Sequence, residues 1–173
     1  MTEIEKLSFA DRAKYLGDPD FYNVPKKSLI DSLYLLKRSN KINMDSTISS
    51  SDIYAGKLNL NESEETTHFS IVDEYGNASS LTTTLNGSFG SGIIVKGAGF
   101  LLNNEMDDFS IQPGYPNMYG LIGGEANAVE PSKRMLSSMT PTILEKDGNL
   151  FMVLGTPGGS TIITAVFQTI INV

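Results

Sequence analysis

The run from Thr142 to Ile171 constrains the fold more than any other part of the chain. Thr142-Ile143-Leu144-Glu145-Lys146 and Asn149-Leu150-Phe151-Met152-Val153-Leu154 both read as strands, and only Asp147-Gly148 separates them. A two-residue link of this type specifies a tight hairpin, because Asp and Gly tolerate the positive φ that its turn requires. The second strand runs directly into Gly155-Thr156-Pro157-Gly158-Gly159-Ser160. Ser160 is placed to cap a helix carrying Ile162, Ile163, Val166, Phe167, Ile170 and Ile171. A glycine turn between a strand and a helix N-terminus aims backbone N–H groups outward at the positive end of the helix dipole. Such a turn suits a carboxylate or the oxyanion of an acyl-transfer intermediate, and glycine lets a ligand approach the backbone closely. A plain left-handed turn before a capped helix would read the same way.

Upstream, Thr66 to Glu74 reads as a strand with Phe69 and Ile71 on one face and Thr66, His68 and Ser70 on the other. Tyr75-Gly76-Asn77 supplies a turn, and residues 79–86 return with Thr82, Thr84 and Asn86 on one face and Leu81, Thr83 and Leu85 on the other. The pair is expected to form a hairpin with a polar inner face, although threonine is common in strands for packing reasons alone. The N-terminal part reads as helical. One helix is expected over 3–16, stopped by Gly17 and Pro19, and a second begins near Pro25 with Leu29, Leu33 and Leu36 on one face. Residues 43–65 lack a period and end in Glu62, Glu64 and Glu65, the pattern of a solvated loop or linker. The apolar pattern that reaches Val173 without a polar cap suggests a chain cut from something longer.

Composition narrows the chemistry. There are 13 Lys and Arg against 20 Asp and Glu, a net charge of -7, so nucleic acid is a poor partner. The chain has no cysteine and one histidine, His68, which excludes thiolate chemistry, disulfides and multi-histidine metal centres. The glycines between residues 87 and 99 follow neither nucleotide-binding spacing. Glu105, Asp107 and Asp108 form an acidic cluster suited to a cation or a substrate ammonium, or simply to solvent. An acyl-transfer nucleophile would have to be Ser or Thr. A catalytic triad would depend on His68 alone, with no nucleophile-elbow motif to support it. The remaining solution is a threonine freed at a new N-terminus, whose own α-amino group acts as base. The Thr66-Thr67 pair qualifies by position, after an acidic linker and at the start of a strand; chemistry alone does not single it out.

Several motifs occur in one order: Asp11-Arg12, Tyr15-Leu16-Gly17-Asp18-Pro19-Asp20-Phe21, Thr66-Thr67-His68-Phe69-Ser70, Leu102-Asn103-Asn104-Glu105-Met106-Asp107-Asp108-Phe109-Ser110, Leu136-Ser137-Ser138-Met139 and Pro157-Gly158-Gly159-Ser160. Together they resemble the γ-glutamyltransferase (γ-glutamyltranspeptidase) family over nearly the whole chain. The resemblance implies an α+β fold, the N-terminal nucleophile (Ntn) hydrolase αββα sandwich, of which this chain would be an incomplete part. It also implies a precursor that cleaves itself between Glu65 and Thr66. Residues 1–65 would then be the C-terminal tail of a large subunit and 66–173 the front of a small catalytic subunit.

The same resemblance assigns roles. Thr66 would be the nucleophile, with Thr84 hydrogen-bonded to it. Gly158 and Gly159 would form the oxyanion hole. Asn86, Glu105 and Asp108 would hold the α-amino end of a γ-glutamyl group, and Ser137 and Ser138 its α-carboxylate. Glu105 stands where part of the family has glutamine, and Met135 where proline is common. Substrates would be γ-glutamyl amides such as glutathione, with amino acids, peptides or water as acceptors and no cofactor. The parent protein would be periplasmic or extracellular, and its remaining large- and small-subunit segments would be the partners of this one. An acylase of the β-lactam side-chain type on the same fold is the alternative for the parent. For the chain in isolation, the expectation is a non-catalytic module that exposes apolar faces.

Overall fold

A computed structural model describes residues 1–49, 52–53 and 66–173. Glu62, Glu64 and Glu65, and with them one side of the expected cleavage bond, lie outside the described residues. The described residues of Met1–Leu60 and Met106–Leu136 form one compact unit, and those of Asn61–Glu105 and Ser137–Val173 another.

The first unit begins with α1, Thr2–Tyr15, which has Glu3 and Glu5 in its first turn and Arg12 and Lys14 in its last. That charge order complements the helix dipole. The expected second helix is two. The short α2, Lys26–Leu29, is followed by α3, Ser32–Ser39. The break comes at Asp31, whose extended backbone frees its carboxylate to accept the N–H groups of Leu33 and Tyr34 at 3.0 and 3.1 Å. A short acidic side chain stabilises a helix more as a cap than from within it. The helices do not bury a common apolar face: Leu33 and Leu36 remain exposed. A polar clamp joins α3 to α1 instead. Arg38 donates to both carboxylate oxygens of Asp11 at 3.1 and 2.8 Å and to the Leu7 carbonyl at 2.6 Å.

The other described residues of this unit are mostly loop, tied down by hydrogen bonds. The C-terminal end of α1 leaves carbonyls without helical partners; one of them, on Ala13, accepts the Gly124 N–H at 2.9 Å. Beside it, Gly17 lies so close to the Ala126 carbonyl that a β-carbon there would overlap the oxygen. Buried Asp18 accepts the backbone N–H of Arg134 at 2.9 Å and its guanidinium at 2.9 and 2.6 Å. These bonds hold the Asp18 carboxyl well below the usual carboxylate range. The pair therefore stabilises the fold at neutral pH, and that stabilisation is lost only as strong acid protonates Asp18.

Among its described residues the second unit holds two antiparallel two-stranded sheets and one α-helix. Strands β1, Thr66–Val72, and β2, Ala78–Thr84, pair from Thr66 opposite Thr84 to Val72 opposite Ala78. Asp73 organises their turn by accepting the N–H groups of Tyr75 and Asn77 at 2.9 and 2.8 Å. Strands β3, Thr142–Lys146, and β4, Asn149–Leu154, form the expected hairpin, with Asp147 and Gly148 at φ 52° and 76°. The register shifts between Leu144 and Glu145, leaving Phe151 as the extra residue of a bulge. Ser80 joins the two hairpins: its hydroxyl donates to the Leu154 carbonyl at 2.9 Å and accepts the Thr142 N–H at 3.1 Å. A one-turn 3-10 segment, Gly159–Thr161, leads into α4, Ile162–Ile171, anchored by buried Ile162 and Val166 one turn apart. Ser160 is not the cap expected of it. It is buried within the 3-10 turn, and Thr161 occupies the cap position of α4 without a side-chain cap bond.

Gly17→Ala should cost about 1–3 kcal/mol of stability, because backbone atoms rather than a movable side chain would have to shift. Urea denaturation checks this, and an unchanged midpoint would contradict the close approach.

Candidate active site

The end of β2 builds the most organised polar cluster. Thr66 opens β1 and Thr84 closes β2, so the ladder sets their side chains opposite each other, with Thr66 Oγ1 3.5 Å from Thr84 Oγ1. Thr84 Oγ1 also accepts the Asn86 N–H at 3.0 Å. That bond requires the chain to turn back on itself, and Asn86 does so at φ 72°, a region asparagine tolerates better than most residues. Asn86 is buried, and its amide nitrogen donates to the Asn104 carbonyl at 3.3 Å. Asn104 returns two further bonds, accepting the Gly87 N–H on its side chain at 2.9 Å and donating its own N–H to Leu85 at 3.1 Å. The residue after Asn104 is Glu105, whose N–H is held by Asn103 at 3.0 Å. Burial raises the Glu105 carboxyl from its ordinary value.

Glu105–Asp108 is a single 3-10 turn at which the chain passes from the second unit to the first. Asp108 lies within the electrostatic reach of Arg12, whose own pKa is lowered by burial and supported by that carboxylate. Ser137 is exposed, and its hydroxyl accepts the Met139 N–H at 3.0 Å; Ser138 beside it is half-buried. Gly158 and Gly159 take φ 133° and 53°, conformations that a side chain would strain. The Gly158 carbonyl accepts both the N–H and the hydroxyl of Thr161, at 3.0 and 2.7 Å. Among the described residues no hydrogen bond links this turn to Thr66 or Thr84.

His68 has a structural place. Its ring nitrogens contact the Thr82 and Ser70 hydroxyls at 2.8 and 3.0 Å, and the ring lies against Gly155 where a β-carbon would sit. Both nitrogens are thus engaged with neutral hydroxyls. Among the described residues no group of three or more His, Asp or Glu is placed to hold a metal ion.

The sequence profile of the family described as gamma-glutamyltranspeptidase matches residues 1–173. The chain belongs to that family. It is 54% identical over 172 residues to the glutathione hydrolase proenzyme of Escherichia coli K12, covering 99% of this chain and 30% of that protein. A highly active mutant of γ-glutamyltranspeptidase from Pseudomonas nitroreducens superposes with a TM-score of 0.60 and 64% identity, over 61% of this chain and 55% of that one. An acylase ACY 1 proenzyme from Pseudomonas sp. SE83 is 36% identical over 172 residues, covering 99% of this chain and 28% of the acylase. The chain therefore spans about 30% of the length of the glutathione hydrolase proenzyme it matches.

Sequence reading did not assign a role to Asn104. It lies inside a quoted motif, but only folding shows that it ties the Leu85–Gly87 turn to the start of the acidic segment. Asn127 had no local signal at all.

Gly155→Ala should displace His68 at a cost of about 1–3 kcal/mol. With one histidine in the chain, NMR of the imidazole reads this directly. Imidazole resonances unchanged from the parent's would contradict the packing.

Proposed function

We propose that this segment belongs to a proenzyme that transfers and hydrolyses γ-glutamyl groups, with Thr66 as the nucleophile after self-cleavage at Glu65–Thr66. One observation carries the reading. In a chain of this family, Thr66 stands first in β1 with the Thr84 hydroxyl opposite it, and the Asn86 N–H holds that hydroxyl. The Thr66 hydroxyl is placed to donate to Thr84 Oγ1 across 3.5 Å, beside the bond that Thr84 accepts from Asn86. That would orient the nucleophile's lone pairs, and the freed α-amino group would remove its proton.

The fold proposed for the parent is the Ntn-hydrolase αββα sandwich. Residues 1–65 would close its large subunit and 66–173 would open its small one. In the acyl-transfer step Thr66 Oγ1 bonds to the γ-carbonyl carbon, and the N–H groups of Gly158 and Gly159 receive the developing oxyanion. The amine then leaves with the proton. Losing one such donor costs on the order of 10²–10³ in rate. The acyl-enzyme passes to water or to an acceptor amine. Asn86, Glu105 and Asp108 would bind the α-ammonium, and Ser137 and Ser138 the α-carboxylate. Glutathione is the natural substrate class for such a head group, and the name of the Escherichia coli relative agrees with it.

The acylase reading draws support from the 36% identical relative, but a site built for an α-amino acid head favours γ-glutamyl substrates. In isolation the segment is proposed to be inactive and prone to self-association. Phe69, Ile71 and Leu81 share an exposed face, as a sheet awaiting cover would show.

Thr66→Ala in the full-length proenzyme should reduce release of γ-glutamyl anilide to background, with Thr66→Ser retaining part of it. A fully active alanine variant would overturn the assignment. A glutaryl anilide turned over in preference to the γ-glutamyl one would favour the acylase reading. Glu105 adds a pH dependence. Its anion would bind the ammonium more strongly than its neutral acid, and burial raises the pH at which that anion forms. The KM for γ-glutamyl anilide should therefore rise as pH falls through this raised pKa, and Glu105→Gln should flatten the rise.

A further inference from the structure

Asn127 is buried at the end of a 3-10 turn, Glu125–Asn127, and uses both ends of its amide. Its nitrogen donates to the Asp108 carbonyl at 2.8 Å, and its oxygen accepts the Leu136 N–H at 3.0 Å. Its backbone carbonyl accepts the Ser110 N–H at 2.9 Å. One side chain thus ties the acidic turn that carries Asp108 to the residue immediately before Ser137 and Ser138. We propose that Asn127 is a positioning residue for the α-amino acid head of the substrate, holding the turn that carries Asp108 through its bonds to the Asp108 carbonyl and the Leu136 N–H. The proposal rests on the γ-glutamyl reading above.

The surroundings make Asn127 a fixed reference point. Its N–H donates to the Gly124 carbonyl at 3.1 Å, and Gly124 in turn donates to Ala13 at the end of α1. Ala126 packs on Gly17 so closely that no β-carbon fits there. The segment leading to Leu136 is held a second time by Arg134 on buried Asp18. An amide is the fitting group for this place. Its two partners are a carbonyl, which needs a donor, and an N–H, which needs an acceptor. Aspartate of the same shape keeps the acceptor and loses the donor, while alanine loses both bonds. A shift of about 1 Å in such a support is enough to degrade a site it does not touch.

The test uses the full-length proenzyme with Asn127→Asp and Asn127→Ala, assayed with γ-glutamyl anilide and with glutaryl anilide, which lacks the α-ammonium. Intact mass follows release of the Thr66 N-terminus, which needs no glutamyl head. Expected are complete processing in both variants, a KM for γ-glutamyl anilide raised about tenfold, and kcat changed less than KM. The preference for the γ-glutamyl over the glutaryl substrate should narrow in both. Processed variants with the parental KM would overturn the proposal. So would loss of processing in both, which would make Asn127 a residue of the fold as a whole. A processed parent without γ-glutamyl turnover would instead overturn the functional reading beneath it.

Discussion

The ladder between Thr66 and Thr84 is the constraint on which the rest of the second unit depends. Antiparallel pairing places the first residue of β1 opposite the last of β2, so strand register alone brings two threonine hydroxyls together. A slip of one residue would put Thr67 there and turn Thr66 to the other face. Several features hold the register. Asp73 closes the turn at one end, and Ser80 fastens the middle to β3 and β4. At the far end, Asn86 turns back through a left-handed conformation to reach Thr84, and Asn104 braces that turn. The cluster follows from the hairpin that carries it and needs no long-range charge.

The same hairpin inverts the usual rule for a half-buried sheet. Its half-buried face carries Ala78, Ser80, Thr82 and Thr84, while Phe69, Ile71 and Leu81 are turned outward. Polar groups are normally the ones left to water, because burying them costs free energy unless each finds a partner. Here His68, Thr82 and Ser80 do find partners.

Much of this was legible in the sequence, for local reasons. Asp147-Gly148 predicts a hairpin because few dipeptides tolerate two positive φ angles in succession, and both residues adopt them. Alternation marks β1 and β2, and Gly17 with Pro19 ends α1 where expected. What escaped depends on competition or on distance. Asp31 could continue a helix or cap one, and its capping bonds won. Ser160 fits a cap by spacing, but the glycines ahead of it tighten the chain into a 3-10 turn that takes it inside. Asn104 and Asn127 act through partners that no periodicity reveals, 17 to 19 residues away in the chain for Gly87 and Asp108. The family motifs point to the residues proposed to touch substrate, whereas these asparagines hold the turns that carry Asn86 and Asp108.

The central claim is that Thr66 becomes a chain terminus. Intact mass and N-terminal sequencing of the full-length proenzyme, after incubation at neutral pH, test it most directly. The account predicts a break between Glu65 and Thr66, with threonine as the new first residue. A protein that hydrolyses γ-glutamyl amides while its Glu65–Thr66 bond stays whole, or that breaks only at another bond, would contradict it.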